Sequence, residues 1–289
     1  MTINILYNMD CVEGMIMRMP FEIDLVVTDP PYGLSSGLET LEEKKEKGND
    51  TYWTSKGDWD TFETEKEFID FTESWLSACY KKLRHGGQIY IFATHHNLFI
   101  TYGLLKNIGY TFRQLLIWYS PSSPPCMTNN RVYQHCCEYI LWATKGNNYT
   151  FNNTKIYKQP MTKQIKDIFL INSLFPGNPE RISGHPTQKP VELLKKLIGV
   201  SSNEGDVVMD CFLGSGSTML ACIQSNRHCF GFEVNGEYIN LIKKKVKWNQ
   251  SPNQYFLVDN PEKIDEDKVN DLIKKYDGLI NRQQAIEMI

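Results

Sequence analysis

Two short stretches of this 289-residue sequence carry residue types that could do chemistry together. The first is Asp29-Pro30-Pro31-Tyr32, which follows the apolar run 23–27 around Asp24. Two consecutive prolines cannot continue a sheet, because each lacks the N–H that the ladder needs. A strand stopped there presents a carboxylate, two rigid carbonyls and an aromatic face. That set is suited to gripping a flat group with an amino substituent. The same four residues also fit a plain strand end closed by a Pro-Pro turn. The second stretch is 207–218, ending in Gly214-Ser215-Gly216-Ser217-Thr218. Glycines let the backbone approach a ligand, and a helix start offers free N–H groups and partial positive charge. Glu233 ends the next expected strand about twenty residues on, where a carboxylate can accept hydrogen bonds from ribose hydroxyls. The spacing is G-x-G-x-T, not G-x-G-x-x-G, so it does not argue for a dinucleotide. Thr218 and the N–H groups suit a small anion such as a carboxylate. A purely structural Gly turn has the same pattern.

The elements that must position these stretches alternate. Strands are expected at 3–8, 23–28, 88–93, 110–118, 136–143, 206–210 and 229–233. Helices are expected after Asp10, which can cap free N–H groups, and at 65–84, 96–108, 190–200, 218–225 and 235–248. His85-Gly86-Gly87 and Gly109 read as helix stops. The alternation predicts an α/β fold with a mostly parallel sheet. Residues 33–60 are polar and aperiodic and read as a long loop. After Gln250 the alternation gives way to two expected short helices, 265–276 and 282–289. The expected organisation is therefore a domain over 1–248 and a helical extension over 249–289.

Composition excludes several classes. Net charge is −3, so any polyanion site must be a local patch. No apolar run approaches the roughly 18 residues of a membrane span, and the start lacks the pattern of a signal peptide. The eight cysteines include no C-x-x-C pair and read as reduced thiols, with no metal site expected. These features imply a cytoplasmic protein without a membrane partner. His95-His96 reads as a polar helix start, and Lys243-Lys244-Lys245 as a solvated helix face.

Taken as a pair, the two motifs make the chain resemble the bacterial DNA amino-methyltransferases that use S-adenosylmethionine. D-P-P-Y (Asp29 to Tyr32) and F-x-G-x-G-x-T (Phe212 to Thr218) are that family's pair, in the order of its β class. Gly57-Asp58-Trp59-Asp60, Asn130-Arg131, Cys137-Glu138-Tyr139-Ile140-Leu141-Trp142 and His185-Pro186-Thr187-Gln188-Lys189-Pro190 resemble further stretches of it, over roughly 1–248. Cys137 replaces the family's usual histidine, and Met9-Asp10-Cys11 replaces its usual G-D turn.

The resemblance implies a Rossmann-like class I methyltransferase fold with permuted motif order and helices on both faces of a twisted sheet. It implies transfer of a methyl group from S-adenosylmethionine to the N6 amine of a flipped-out adenine, leaving S-adenosylhomocysteine. Asp29 and the Pro30 carbonyl would take the amine's two N–H bonds, and Tyr32 would stack on the base. Glu233 would hold the ribose, with Asp10 and Cys11 near the adenosine. Gly214, Gly216, Thr218, Thr187 and Lys189 would surround the methionine end. Phe212 would flank the adenine or sit in the core, and Asp210 would shape the turn. DNA would be read between the motifs, in the irregular stretch 121–184, by Asn129, Asn130, Arg131, Lys163 and Lys166. The 33–58 loop would close over the base. A homodimer accords with the family, as does a place in a restriction-modification or an orphan methylation system. The alternatives are N4 methylation of cytosine, whose enzymes more often carry S-P-P-Y, and a non-catalytic DNA-binding relative.

Overall fold

The computed structural model describes residues 2–19, 22–33, 60, 62–123, 133–153, 164–248, 253–259, 271 and 274. Among these, nine strands form one sheet. They are β1 (Ile3–Asn8), β2 (Ile23–Thr28), β3 (Leu83–Ala93), β4 (Thr111–Tyr119), β5 (Cys137–Thr144), β6 (Ile168–Leu170), β7 (Val207–Asp210), β8 (His228–Phe232) and β9 (Gln254–Asp259). The helices that accompany them are α1 (Cys11–Met17), α2 (Glu65–Lys82), α3 (Leu98–Ile108), α4 (Val191–Ser201), α5 (Ser217–Gln224) and α6 (Gly236–Lys245). The spatial order is β6-β4-β5-β3-β2-β7-β8-β1-β9. Every described pairing is parallel except those of β5, which runs against both β3 and β4.

The strands read as unbroken apolar runs because both faces are covered. Ile5, Tyr7, Val26, Ile89 and Ile91 enter one core with Trp75 and Leu76 of α2 and Leu105 of α3. Their neighbours Leu6, Leu25, Val27, Tyr90 and Phe92 enter the other, with Leu197 of α4, Met219 of α5 and Ile242 of α6. The caps are those the sequence offers. Asp10 accepts from the N–H groups of Val12 and Glu13 at 2.8 and 3.1 Å, and Gly109 closes α3 at φ 109°.

The sheet brings the motifs to one edge. β2, β7, β8 and β1 are adjacent and parallel, so Asp29, the 211–218 turn, Glu233 and Asp10 all follow C-terminal strand ends. β3 lies on one side of β2 and β7 on the other, so the chain leaves the two strands in diverging directions. Open α/β sheets bind ligands in such a crevice.

Four expectations change. The helix over 65–84 stops at Lys82, and β3 begins at once, with Leu83 beside Ile23 and Arg84 Nε 2.5 Å from Asp24 Oδ1. His85-Gly86-Gly87 is thus a bulge inside a strand, where the register jumps from Ile23↔Leu83 to Leu25↔Gln88. Second, the described part of 121–184 adds a strand that was not expected, β6. β5 fills the sheet between β3 and β4, and β6 forms the edge beyond β4. Third, the sheet does not end at 248, since β9 pairs with β1 along its whole length. Its apolar run Tyr255 to Val258 is the strand signal that the change of pattern after 250 obscured. Of the two helices expected beyond it, only Asp271 and Lys274 are described, and both are helical. Fourth, His95 and His96 form a turn ahead of α3, which starts at Leu98. Asn129, Asn130, Arg131, Lys163 and all of the 33–58 loop except Gly33 lie outside the described residues.

Candidate active site

Asp29 leaves β2 with both carboxylate oxygens engaged. Oδ2 lies 2.5 Å from Lys189 Nζ, and Oδ1 accepts the Tyr32 hydroxyl. Tyr32 is buried, and burial first, then the Asp29 and Glu138 carboxylates, hold its hydroxyl well above the usual range. It is therefore a permanent donor. The backbone after the prolines is tied down by Asp60, a buried residue whose Oδ1 accepts from the Tyr32 and Gly33 N–H groups at 2.5 and 2.9 Å. Pro30 is buried, between the half-buried Asp29 and Pro31. Lys189 is buried just before α4 and also lies 3.3 Å from Glu138 of β5. Burial alone would lower its pKa, but the Asp29 and Glu138 carboxylates outweigh it and raise it, so it stays a cation.

On one side of this cluster a cavity of about 750 Å³ runs from Asp29 towards Glu233. Asp10, Cys11, Thr187, Lys189, Phe212, Gly214 and Thr218 all line it. Glu233 accepts from the N–H groups of Gly214 and Asn235, each at 2.8 Å. Burial pushes its pKa up to about 7, against the pull of those two bonds. Asp210 does shape the turn: it accepts from the Thr28 hydroxyl at 2.8 Å and the Phe212 N–H at 3.0 Å, and burial raises it to about 6. Phe212 stands between the cavity and the core. Its ring lines the cavity and meets Trp75 edge-on at 5.6 Å.

The two glycines of the turn differ. Gly214 has φ 49°, and a Cβ there would lie 2.6 Å from His185 Nε2. Gly216 does not line the cavity; its φ is 78° and a Cβ would press on Ile242 of α6 at 3.1 Å. A side chain there would disturb the packing against α6. Gly214→Ala is expected to cost about 1–2 kcal/mol for the left-handed backbone alone, read as a lower urea midpoint. Gly103→Ala in α3, with nothing within 4 Å of its Cβ, is the control and should be neutral or stabilising.

On the other side of Tyr32 lies a second cavity of about 330 Å³, walled by Glu138, His95, His135, Trp118 and Ser120. His95 stacks on His135 at 5.1 Å, and burial, then the charges of His96 and His135, lower its pKa. The pair read as a helix start therefore belongs to a cavity wall. The Asp29–Lys189–Glu138 chain divides the two cavities.

A family model described as DNA methylase matches residues 23–244, which include Asp29, Glu138, Lys189 and Glu233. The chain belongs to the DNA methylase family. The type II methyltransferase M2.MboI of Moraxella bovis is 31% identical over 243 residues, 83% of this chain and 86% of that one. M2.DpnII of Streptococcus pneumoniae is 28% identical over 252 residues, 86% and 91% of the two chains. Among solved structures, an M1.HpyAVI–SAM complex superposes with a TM-score of 0.63 at 22% identity, covering 84% of this chain and 98% of that one.

Three polar residues of this DNA methyltransferase's site have no role that the sequence alone suggests: Asp60, Glu138 and His185. Asp60 sits in the W-D stretch, and a lone acidic residue after an aperiodic loop gives no hint of what it clamps. His185 covers Gly214, and its Nδ1 is buried without a hydrogen-bond partner. Burial lowers its pKa to about 4, so it is a neutral imidazole. Lys166 is exposed beside β6 and lines a small crevice with Gln114 and Phe151, not either cavity at Asp29. Among the described residues no group of three or more His, Cys, Asp or Glu side chains could hold a metal ion, and no helix is long and apolar enough to cross a membrane.

Proposed function

We propose that the chain transfers a methyl group from S-adenosylmethionine to the N6 amine of a flipped-out adenine in DNA. The observation that carries this is Asp29 on the wall of the larger cavity, hydrogen-bonded to Tyr32 on the wall of the smaller. The larger cavity fits the cofactor by its donor set. Glu233 has a lone pair left on each oxygen for ribose hydroxyls, Phe212 offers a ring face, and the Gly214 turn with Thr187, Thr218 and the unpartnered His185 Nδ1 offers polar groups for the amino-acid end. The solved M1.HpyAVI structure is itself a complex with SAM, the same cofactor.

S-adenosylmethionine supplies an electrophilic methyl whose bond to sulfur breaks, with its electron pair, as the new N–C bond forms. The chain's part is to make a poor nucleophile attack. Asp29 and the Pro30 carbonyl accept the amine's two N–H bonds, which localises its lone pair and stabilises the charge that develops on nitrogen. Tyr32 holds the ring face, and the Asp60 clamp fixes the backbone that carries all three groups. Asp29 then takes the proton that the methylated amine loses and passes it to solvent. The amine is out of reach in a stacked duplex, so the base must be flipped.

Adenine is favoured over cytosine by Asp29, where cytosine-acting relatives more often carry serine. Mass spectrometry of nucleosides from treated DNA tests the assignment; N4-methylcytosine alone overturns it, and no transfer at all favours a non-catalytic DNA-binding role. The type II names of the relatives support a place in a restriction-modification system, and the enzyme is proposed to work in the cytoplasm. DNA readout fits the segments that leave β4 and precede α4, since Ser120, Ser123 and Ser173 rim the smaller cavity. Asn129, Asn130, Arg131, Lys163 and Lys166 are the proposed contacts there, and the 33–58 loop the proposed cover. Whether two copies act together is read from the mass of the DNA-bound enzyme.

Cofactor binding should depend on pH. Ribose hydroxyls donate to an ionised Glu233, whose pKa is about 7 in the free protein. Affinity should therefore rise about tenfold from about pH 6 to about pH 8, with proton release on binding. The sign for stability is opposite. The folded pKa lies above the ordinary 4.5, so folded Glu233 keeps a proton that the unfolded chain has lost. Stability of the free protein falls as pH rises between those two values. Isothermal titration in two buffers of different ionisation heat checks the first claim, and urea midpoints against pH the second.

A further inference from the structure

The Asp29 carboxylate is already occupied: the Tyr32 hydroxyl holds one oxygen and the Lys189 ammonium the other. A target amine takes the lone pair that remains on one of these oxygens, beside one of these two partners. The lysine is the worse neighbour, because the attacking nitrogen gains positive charge as it takes the methyl. A cation on the same carboxylate cancels the stabilisation that Asp29 is there to give. Lys189 is buried and cannot simply swing into water.

Glu138 stands where a second partner is needed. It is near the start of β5, the one reversed strand among those described, and reversal is what carries a strand's first residues to the edge where Asp29 lies. It sits opposite Trp118 of β4 and walls the smaller cavity. Its Oε2 is shut off from solvent, 3.3 Å from Lys189 Nζ, yet out of line for a hydrogen bond. The two charges pair at that distance without a hydrogen bond between them. We propose that Glu138 is a positioning residue for methyl transfer, drawing the Lys189 ammonium off Asp29 when the target amine enters. Two carboxylates share one ammonium, so a negative charge is left over for the amine. With glutamine at 138 that surplus disappears, and the lysine stays on Asp29. The inference rests on the methyl-transfer reading above.

The test compares the full-length parent with Glu138→Gln and Glu138→Asp, using a DNA substrate that the parent methylates and labelled S-adenosylmethionine. Glu138→Gln should lower the single-turnover rate about 10²-fold. The affinities for cofactor and DNA, and the melting temperature, should stay close to those of the parent. Glu138→Asp keeps the charge and should recover part of the rate. A Glu138→Gln rate within about twofold of an active parent overturns the inference and leaves the methyl-transfer reading standing. So does a loss matched by weaker cofactor or DNA binding, or one that aspartate does not relieve. A parent that methylates no DNA overturns both.

Discussion

Asp29→Ala should abolish nearly all methyl transfer, lowering the single-turnover rate by about 10³-fold. The carboxylate is the one charged acceptor offered to the amine at the end of β2, and alanine removes both the acceptor and the charge. Asp29→Asn keeps a carbonyl oxygen in place and should lose less, about 10²-fold. Binding of the cofactor should change little, because Glu233 and the Gly214 turn lie at the far end of the cavity. Lys189 keeps Glu138 as a partner, so the protein should still fold, though at lower stability; breaking a buried pair costs about 3–5 kcal/mol when no other partner remains. Label transfer to DNA, cofactor binding and a urea melt on the same samples separate these effects. Equal labelling by parent and Asp29→Ala would sink the role given to this carboxylate.

The second large effect lies in the core. Trp75→Ala should cost about 3–5 kcal/mol, as a fully buried ring is replaced by a void. Trp75 is 0% exposed and meets Phe212 edge-on, with an interplanar angle of 88°. Phe212 in turn walls the larger cavity. Removing the tryptophan frees Phe212 to sink inward, so cofactor affinity should also fall, by about fivefold if the ring pair is worth ~1 kcal/mol. A Trp75→Ala protein of unchanged stability would mean that the cavity had collapsed without cost.

The legible parts of this chain were those with local grammar. A strand stopped by two prolines, a Gly-rich turn into a helix and an acidic strand end each declare themselves within a dozen residues. The mostly parallel sheet then follows from alternation. What escaped were contacts between distant positions. Lys189 and Asp29 are 160 residues apart, and nothing local to either predicts the pair. Asp60 clamps a backbone 27 and 28 residues before it. Glu138 reaches the site only because β5 is reversed, and strand direction leaves no trace in an apolar run. The three residues of β6 are too few for any period to show. His85-Gly86-Gly87 misled because glycines that end a helix and glycines that bulge a strand look alike in sequence.

The placing of β1 governs when the site can exist during synthesis. β1 lies between β8 and β9, so its partners are Cys229 to Phe232 and Gln254 to Asp259. A nascent chain must hold Ile3, Ile5, Leu6 and Tyr7 unpaired until more than two hundred further residues have left the ribosome. β2 and β3, close in sequence, can pair far earlier. Asp10 and Cys11 follow β1 directly, and Glu233 donates its own N–H to Tyr7 O at 2.9 Å. The wall of the larger cavity at Asp10 and Cys11 is therefore among the last parts to form, while the Asp29 strand end is among the first.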